Sequence, residues 1–261
     1  MPLRPLIFLL LAVLPLYALS SYAAPPDAYE IMKRVDERPD GEDRRSVLVM
    51  ELINREGSKR VRRLLSLAKD YGVDSRKVLA LLDPPDVKGT AFLSWDYAAP
   101  AREDDRWLYL PALKRVRRIM GESRNDTFMG SDFTYDDLGD RSVDEDDHRL
   151  LGEETLEGFD CWVVESVPKD TTERYTRKKI WVRKDADLPI RVEYFDKDGL
   201  LKTLRVLEAH LQDGFWVQVS TEMHNVPEDH RTVLTVEEIQ HDTGLRDSLF
   251  EVATIQRGHL R

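Results

Sequence analysis

From Ser46 onward the apolar residues of this chain recur at every second position, in runs too short and too often broken by turn residues to be helices. Val47 and Val49 alternate with Leu48, Met50 and Leu52, and Val61, Arg63, Leu65 and Leu67 alternate with Arg60 and Arg62. Phe159, Cys161 and Val163 alternate with Asp160 and Glu165, and Ile190, Val192 and Tyr194 with Arg191 and Glu193. Successive side chains of an extended backbone point to opposite faces, so each run is a strand with two different faces. Between the runs stand Asn54-Arg55-Glu56-Gly57, Asp83-Pro84-Pro85-Asp86, Asp196-Lys197-Asp198-Gly199 and Gln212-Asp213-Gly214, whose residue types favour tight reversals. About eleven or twelve strands joined by short loops make an antiparallel meander.

Two stretches depart from the period. Asp27-Ala28-Tyr29-Glu30 has the spacing of a capping box, and Ala28, Ile31, Met32 and Val35 then share one helical face, so the spacing predicts an amphipathic helix ending before Pro39. Around residues 121–158 Gly, Asp and Glu crowd and the alternation lapses. There Met129–Leu138 reads as a short helix or ordered loop, followed by a solvated acidic connection at Asp144-Glu145-Asp146-Asp147. A structured insertion in a sheet protein is expected to lie across one face as a lid.

The N-terminus reads as an export signal. Arg4 is followed by the apolar run Leu6–Leu14 and by small residues at Ser20-Ser21-Tyr22-Ala23-Ala24, ahead of Pro25-Pro26. The run is short of the roughly 20 residues a spanning helix needs and is broken at Pro15, so residues 1–23 are expected to be cleaved, with 24 the other possible last residue. Residues 24–261 then form a single β domain with the insertion around 121–158, without a stable membrane anchor. Arg4 is the only charge lost, leaving 38 Lys and Arg against 49 Asp and Glu, a net charge of −11. That balance argues against nucleic acid and against simple adhesion to anionic lipid. Cys161 stands alone, so no intrachain disulfide is available and stability must come from the packed core. No Cys follows the expected cut to carry a lipid, so the mature chain is expected to move freely between two membranes.

The sequence offers little chemistry. It has no Gly-x-Ser-x-Gly elbow, no His-Glu-x-x-His and no phosphate-cradling glycine loop, and its six histidines are scattered, so neither an enzyme nor a cofactor or metal site is expected. Cys161 beside Trp162 reads as a buried small hydrophobe. Asp132, Asp136, Asp137 and Asp140 supply oxygens of the kind calcium prefers, but their spacing is not that of an EF-hand loop, and solvated or helix-capping roles are expected. Lys114-Arg115-Val116-Arg117-Arg118 would suit nucleic acid in an intracellular chain. In an exported one it suits salt bridges to the acidic loop, or headgroup phosphate contacts through Arg115 and Arg117. Large aromatic side chains on the strands are either ordinary core or the lining of a concave pocket.

Trp107-Leu108-Tyr109-Leu110-Pro111-Ala112-Leu113-Lys114-Arg115-Val116-Arg117-Arg118-Ile119, followed by Phe128-Met129-Gly130-Ser131-Asp132-Phe133-Thr134-Tyr135-Asp136-Asp137, resembles the outer-membrane lipoprotein-sorting family related to the periplasmic lipoprotein carrier LolA. Pro85–Leu93, Gly158–Trp162, Pro168-Lys169 and Glu193–Asp196 fit the same pattern, and the resemblance spans roughly residues 27 to 258. It implies a mainly β (α+β) fold, a strongly curved antiparallel sheet or incomplete β-barrel whose concave face is covered by helices over an apolar cavity. The implied role is a periplasmic carrier or chaperone for a lipid or for lipoprotein acyl chains, in a Gram-negative-type envelope. Relatives often accompany resistance-nodulation-division exporters, so an inner-membrane exporter or outer-membrane acceptor is the implied partner.

Under that reading Ile31, Met32, Trp95, Trp107, Tyr109, Met129, Phe133, Tyr135, Trp181 and Tyr194 are the expected lining or lid, with Arg115 and Arg117 touching headgroup or partner. A buried methylene contributes about 0.8 kcal/mol, so a sixteen-carbon chain gains on the order of 13 kcal/mol at most, and such cargo needs a lid that opens. The rival reading is a module that docks on an envelope exporter without cargo, which a filled interior would favour. A hydrolase would require histidines and carboxylates to converge in one cleft.

Overall fold

The computed structural model describes residues 26–258 and residue 260, so the leader expected at 1–23 lies outside the described residues. Helix α1 (Ala28–Asp36) forms where the apolar spacing placed it and buries Ala28 and Ile31. The expected capping box does not close: the Asp27 side chain makes no capping bond, and the first turn is held by the Ile31 amide donating to the Asp27 carbonyl at 3.0 Å. Among the described residues no helix is long and apolar enough to cross a membrane.

Strands β1 (Asp43–Ile53), β2 (Lys59–Tyr71), β3 (Asp74–Asp83), β4 (Ala91–Asp96), β5 (Asp105–Leu110) and β6 (Arg115–Ile119) form one wing of the sheet. The other is built from β7 (Asp146–Leu156), β8 (Phe159–Pro168), β9 (Arg177–Arg183), β10 (Leu188–Asp196), β11 (Gly199–Gln212), β12 (Phe215–Asn225) and β13 (His230–His241). Each strand pairs antiparallel with its neighbour in sequence, except that β6 and β7 do not meet, and β1 pairs with β13 to join the wings. The product is one unclosed, curved sheet of 13 strands with β6 and β7 as free edges. The strand beyond the expected number is β7. It lies within the insertion expected at 121–158, where exposed polar residues on one face and Gly152 at a register shift hide the alternation. The turn signals all mark strand ends; at the β11–β12 reversal Asp213 and Gly214 have φ of 52° and 88°, the left-handed pair that a two-residue hairpin needs.

Directly paired residues share a face, so the register fixes which apolar residues face together. On one face Met50, Leu52, Leu64, Leu81, Phe92 and Leu108 pack under Phe128 and Tyr135 of the insertion. On the other wing Val164, Ile180, Val182 and Val192 pack under Ala28 and Ile31 of α1. The pairs Leu204–Met223, Met223–Thr232 and Leu52–Thr232 carry the same face across the join. The reverse face of β2–β5, with Leu65, Leu67, Val78 and Leu93, is covered by the C-terminal segment through Leu249, Phe250 and Ile255, the last on α2 (Val252–Arg257).

Candidate functional site

The insertion between β6 and β7 crosses the face that also carries α1, and we call residues 126–145 the strap. Its first turns are apolar and aromatic. Phe128 and Tyr135 meet edge to face at 6.1 Å, Tyr135 meets Phe92 at 5.5 Å, and a bridge between Thr127 and Thr134 closes the loop that holds them. Met129, with φ of 51°, offers its carbonyl to Arg62 of β2. The following residues are ionic. Asp132 pairs with His230 at 2.8 Å and accepts from the Thr232 hydroxyl at 2.7 Å, while its amide donates back to that hydroxyl at 2.9 Å.

Asp136 and Asp137 then reach opposite wings. Asp136 lies 3.0 Å from Arg106 on β5, whereas Asp137 accepts from Lys202 on β11 at 2.8 Å and from the Tyr175 hydroxyl at 2.9 Å. Strands β5 and β11 are seven positions apart in the sheet order. A flat sheet would separate them by about 33 Å at the usual strand spacing. Two consecutive residues touch both, so the sheet is curled around the strap. Asp140 returns to β3, where it accepts from Lys77 and Ser75, and Arg141 donates to Asp146 at the start of β7 at 2.7 Å. Lys202 and Asp137 are almost fully buried, and a buried pair of this kind fixes geometry more than it adds stability.

The electrostatics follow from burial. Asp96 is only 3 % exposed, and burial pushes its carboxyl up to about 6 despite Lys77 and Arg106 nearby. Burial and the Asp137 charge raise the Tyr175 and Tyr194 hydroxyls well above the ordinary tyrosine range. Burial lowers Lys178, helped by the neighbouring Arg141 guanidinium. Burial works against Arg141 too, but Asp146, Glu145 and Glu173 more than offset it and raise its pKa. Gly139 lies where a Cβ would come within 2.6 Å of Arg106 Nη2 and 2.7 Å of Asp96 Oδ1, so the strap can descend onto this pair only without a side chain.

Beneath the strap is a partly enclosed space of about 170 Å³ lined by Arg106, Asp136, Asp137, Arg141, Lys178 and Tyr194. A groove of about 480 Å³ lies beside it, between α1, the β2–β3 turn, the end of β4 and the end of the strap. Both spaces are predominantly charged. The apolar residues of this face are packed directly against α1 and the strap. Among the described residues no group of three or more His, Cys, Asp or Glu could hold a metal ion.

The structure divides the expected lining residues between two faces. Ile31 and Met32 on α1, Met129 and Tyr135 on the strap, and Tyr194 on β10 belong to the covered face, and Phe133 is buried within the strap. Trp95, Trp107 and Tyr109 pack with the C-terminal segment on the reverse face, where the Trp95 indole donates to the Phe250 carbonyl at 2.9 Å. Trp181 packs with Cys161 and Val163 on the reverse of the other wing and donates to Glu154 at 2.8 Å. These four cannot share a pocket with the other six; their faces follow from strand register. Arg115 and Arg117 are exposed on edge strand β6, Arg117 being 3.8 Å from Asp126. Cys161 is fully buried and burial raises its thiol pKa.

Two expectations about the acidic residues are corrected. Asp132 and Asp137 are neither solvated nor helix caps but tethers of the strap with buried side chains, because each meets a partner from a distant strand. Asp146 is not part of a solvated loop; it is 6 % exposed, opens β7 and holds Arg141. Sequence reading missed the partners Arg106, Lys202, Tyr175 and Arg141. A lysine or arginine at an inward position of an otherwise apolar strand was the available signal, as with Lys202 two residues before Leu204, which packs on the covered face.

A family model for uncharacterized proteins matches residues 73–257. No curated protein matches the chain. Among solved structures, a DUF1329 family protein from Desulfovibrio piger is 34% identical with a TM-score of 0.84, the match covering 87% of this chain and 97% of that one. A protein described as an outer membrane lipoprotein-sorting protein domain, from Vibrio parahaemolyticus, is 31% identical with a TM-score of 0.83 over 88% of this chain and 98% of that one. A LolA superfamily protein from Nitrosomonas europaea shares the fold at 19% identity, with a TM-score of 0.69 over 87% of this chain and 98% of that one.

Proposed function

The chain belongs to the DUF1329 family, with the fold of the LolA superfamily, and from that premise we propose that it is a periplasmic carrier or chaperone for a lipid or for lipoprotein acyl chains. The supporting observation is the apolar band that runs over one face of both wings and is covered by α1 and the strap rather than by another sheet. That face is the concave one in this reading, since the strap touches both wings of a curled sheet at once. Cargo enters when the covering segments lift, and acyl chains replace Ile31, Met32, Met129, Phe133 and Tyr135 against the sheet, with Tyr194 beneath them. The similarity to a protein described as a lipoprotein-sorting domain favours the same reading.

Delivery to the periplasm would rest on the N-terminal signal, and the exposed Arg115 and Arg117 would meet a headgroup, an inner-membrane exporter or an outer-membrane acceptor. Native mass spectrometry of protein purified from the periplasm tests the proposal. A co-purifying lipid, or uptake of added lipid in a saturable ratio, is expected. Protein that is consistently empty and indifferent to lipid would overturn it and turn attention to the docking-module reading, which co-purification with an exporter complex would then examine.

A further inference from the structure

The space of about 170 Å³ beneath the strap is lined by charges of both signs, and its polar groups differ in what already holds them. Its five carboxylates are all engaged: Asp104 and Asp136 with Arg106, Asp137 with Lys202, Asp140 with Lys77 and Glu145 with Arg141. Three of its donors are not. Among the described residues Lys178 makes no side-chain hydrogen bond, and its one ion pair, with Asp146, spans 4.0 Å while Arg141 holds that carboxylate at 2.7 Å. The Lys178 side chain keeps 16 % of its surface open, so the ammonium is not sealed off. The Tyr194 hydroxyl and the Arg124 guanidinium, which line the same space, have neither a hydrogen bond nor an ion pair among the described residues. Burial and the Arg141 charge lower the Lys178 pKa, as befits a cation short of negative charge around it.

We propose that this cavity binds the oxyanion of a ligand, a carboxylate or a phosphate, on Lys178, Tyr194 and Arg124. Unengaged donors around a space whose acceptors are taken call for an acceptor-rich group, and a cation would find no free carboxylate there. Hydrogen bonds from charged donors to an oxyanion are short and strong. The volume is several times that of a water molecule, about 30 Å³ in the liquid, and suffices for either group. Tyr194 also joins the cavity to the apolar band, since its ring packs with Val164, Ile180 and Val192. An amphiphile with its head in the cavity runs its chain along that band, and this source of the oxyanion rests on the carrier reading. Free inorganic phosphate is the other source and does not.

The test is calorimetry of the mature protein with three probes at one ionic strength: inorganic phosphate, laurate and dodecanol, the uncharged counterpart of laurate. Saturable binding of phosphate, or of laurate about tenfold or more tighter than dodecanol, is expected. Lys178→Gln should weaken the bound anion about tenfold or more. Tyr194→Phe removes only a hydroxyl without a partner, so it should weaken binding a few-fold with the unfolding midpoint unchanged. Lys88→Gln removes an exposed charge that does not line the cavity and should leave binding as it was. Failure of both anions to bind would overturn the proposal, as would equal weakening by Lys88→Gln. Laurate and dodecanol bound equally, and indifferently to Lys178→Gln, would also overturn it while leaving the carrier reading standing. Phosphate bound through Lys178 by a protein indifferent to both amphiphiles would support the site and count against the carrier reading.

Discussion

At the scale of single residues, Gly139 is the glycine that leaves least room for a side chain, lying against Arg106 and Asp96. Gly139→Ala forces the strap or the Arg106 guanidinium to move and should cost about 1–3 kcal/mol in chemical denaturation. Asp96 gives a pH signature. Its folded pKa of about 6 lies above the unfolded value of 3.8, so the native state binds more protons in that window. Its contribution to stability is therefore complete below pH 3.8 and is lost as pH rises through about 6. Asp96→Asn should be more stable than the parent at pH 8, with the difference closing below pH 4; denaturant midpoints across that range would show it. Cys161, buried in the core with its thiol pKa raised, should react with a thiol reagent at the rate of unfolding only. Its burial was legible from its place in an alternating strand beside Trp162. The roles of Asp132, Asp136 and Asp137 were not, because an aspartate in a glycine-rich segment looks the same whether it meets water or a lysine from a strand 65 residues away.

At the scale of elements, α1 and the strap share one task and are held differently. Helix α1 presents an apolar face that its own sequence announces, and Ile31 is fully buried by it. The strap has no such period, and what holds it is a succession of partners alternating between wings. Asp137→Ala would strand the Lys202 ammonium, which is 2 % exposed, and should cost about 3–5 kcal/mol. Adding Lys202→Met should recover most of that loss, a coupling that a double-mutant cycle measures. If the strap is the lid of a carrier, the double variant should also accept lipid faster than the parent in a transfer assay, because one tie to the β11 wing is gone while no lone charge is buried. Strand β7 shows the converse limit of sequence reading. Its exposed face is so polar that periodicity hid a strand whose inward residues, among them His148 and Leu150, are placed by pairing with β8.

At the scale of the whole molecule, an unclosed sheet leaves two edges able to recruit a further strand. Edge β6 carries Arg115, Arg117 and Arg118, all exposed, and charges on an edge strand discourage pairing with another chain. Replacing the three by threonine should promote self-association at high concentration, visible in light scattering, with little change in monomer stability. This physical role is compatible with the headgroup or partner contact proposed for Arg115 and Arg117. Alternation, the helical spacing of apolar residues and turn residues are local signals, and from them the sequence alone reads as a meander of antiparallel strands joined by short loops and preceded by one amphipathic helix. It determined too that an irregular acidic segment interrupts the meander. Long-range pairing alone brings β1 to β13, curls the sheet until β5 and β11 approach one strap, and turns Trp95, Trp107, Tyr109 and Trp181 away from the covered face. Those outcomes depend on the register of strands far apart in sequence, where a shift of one residue exchanges the faces, and on charge pairs whose members carry no mark of one another in the chain.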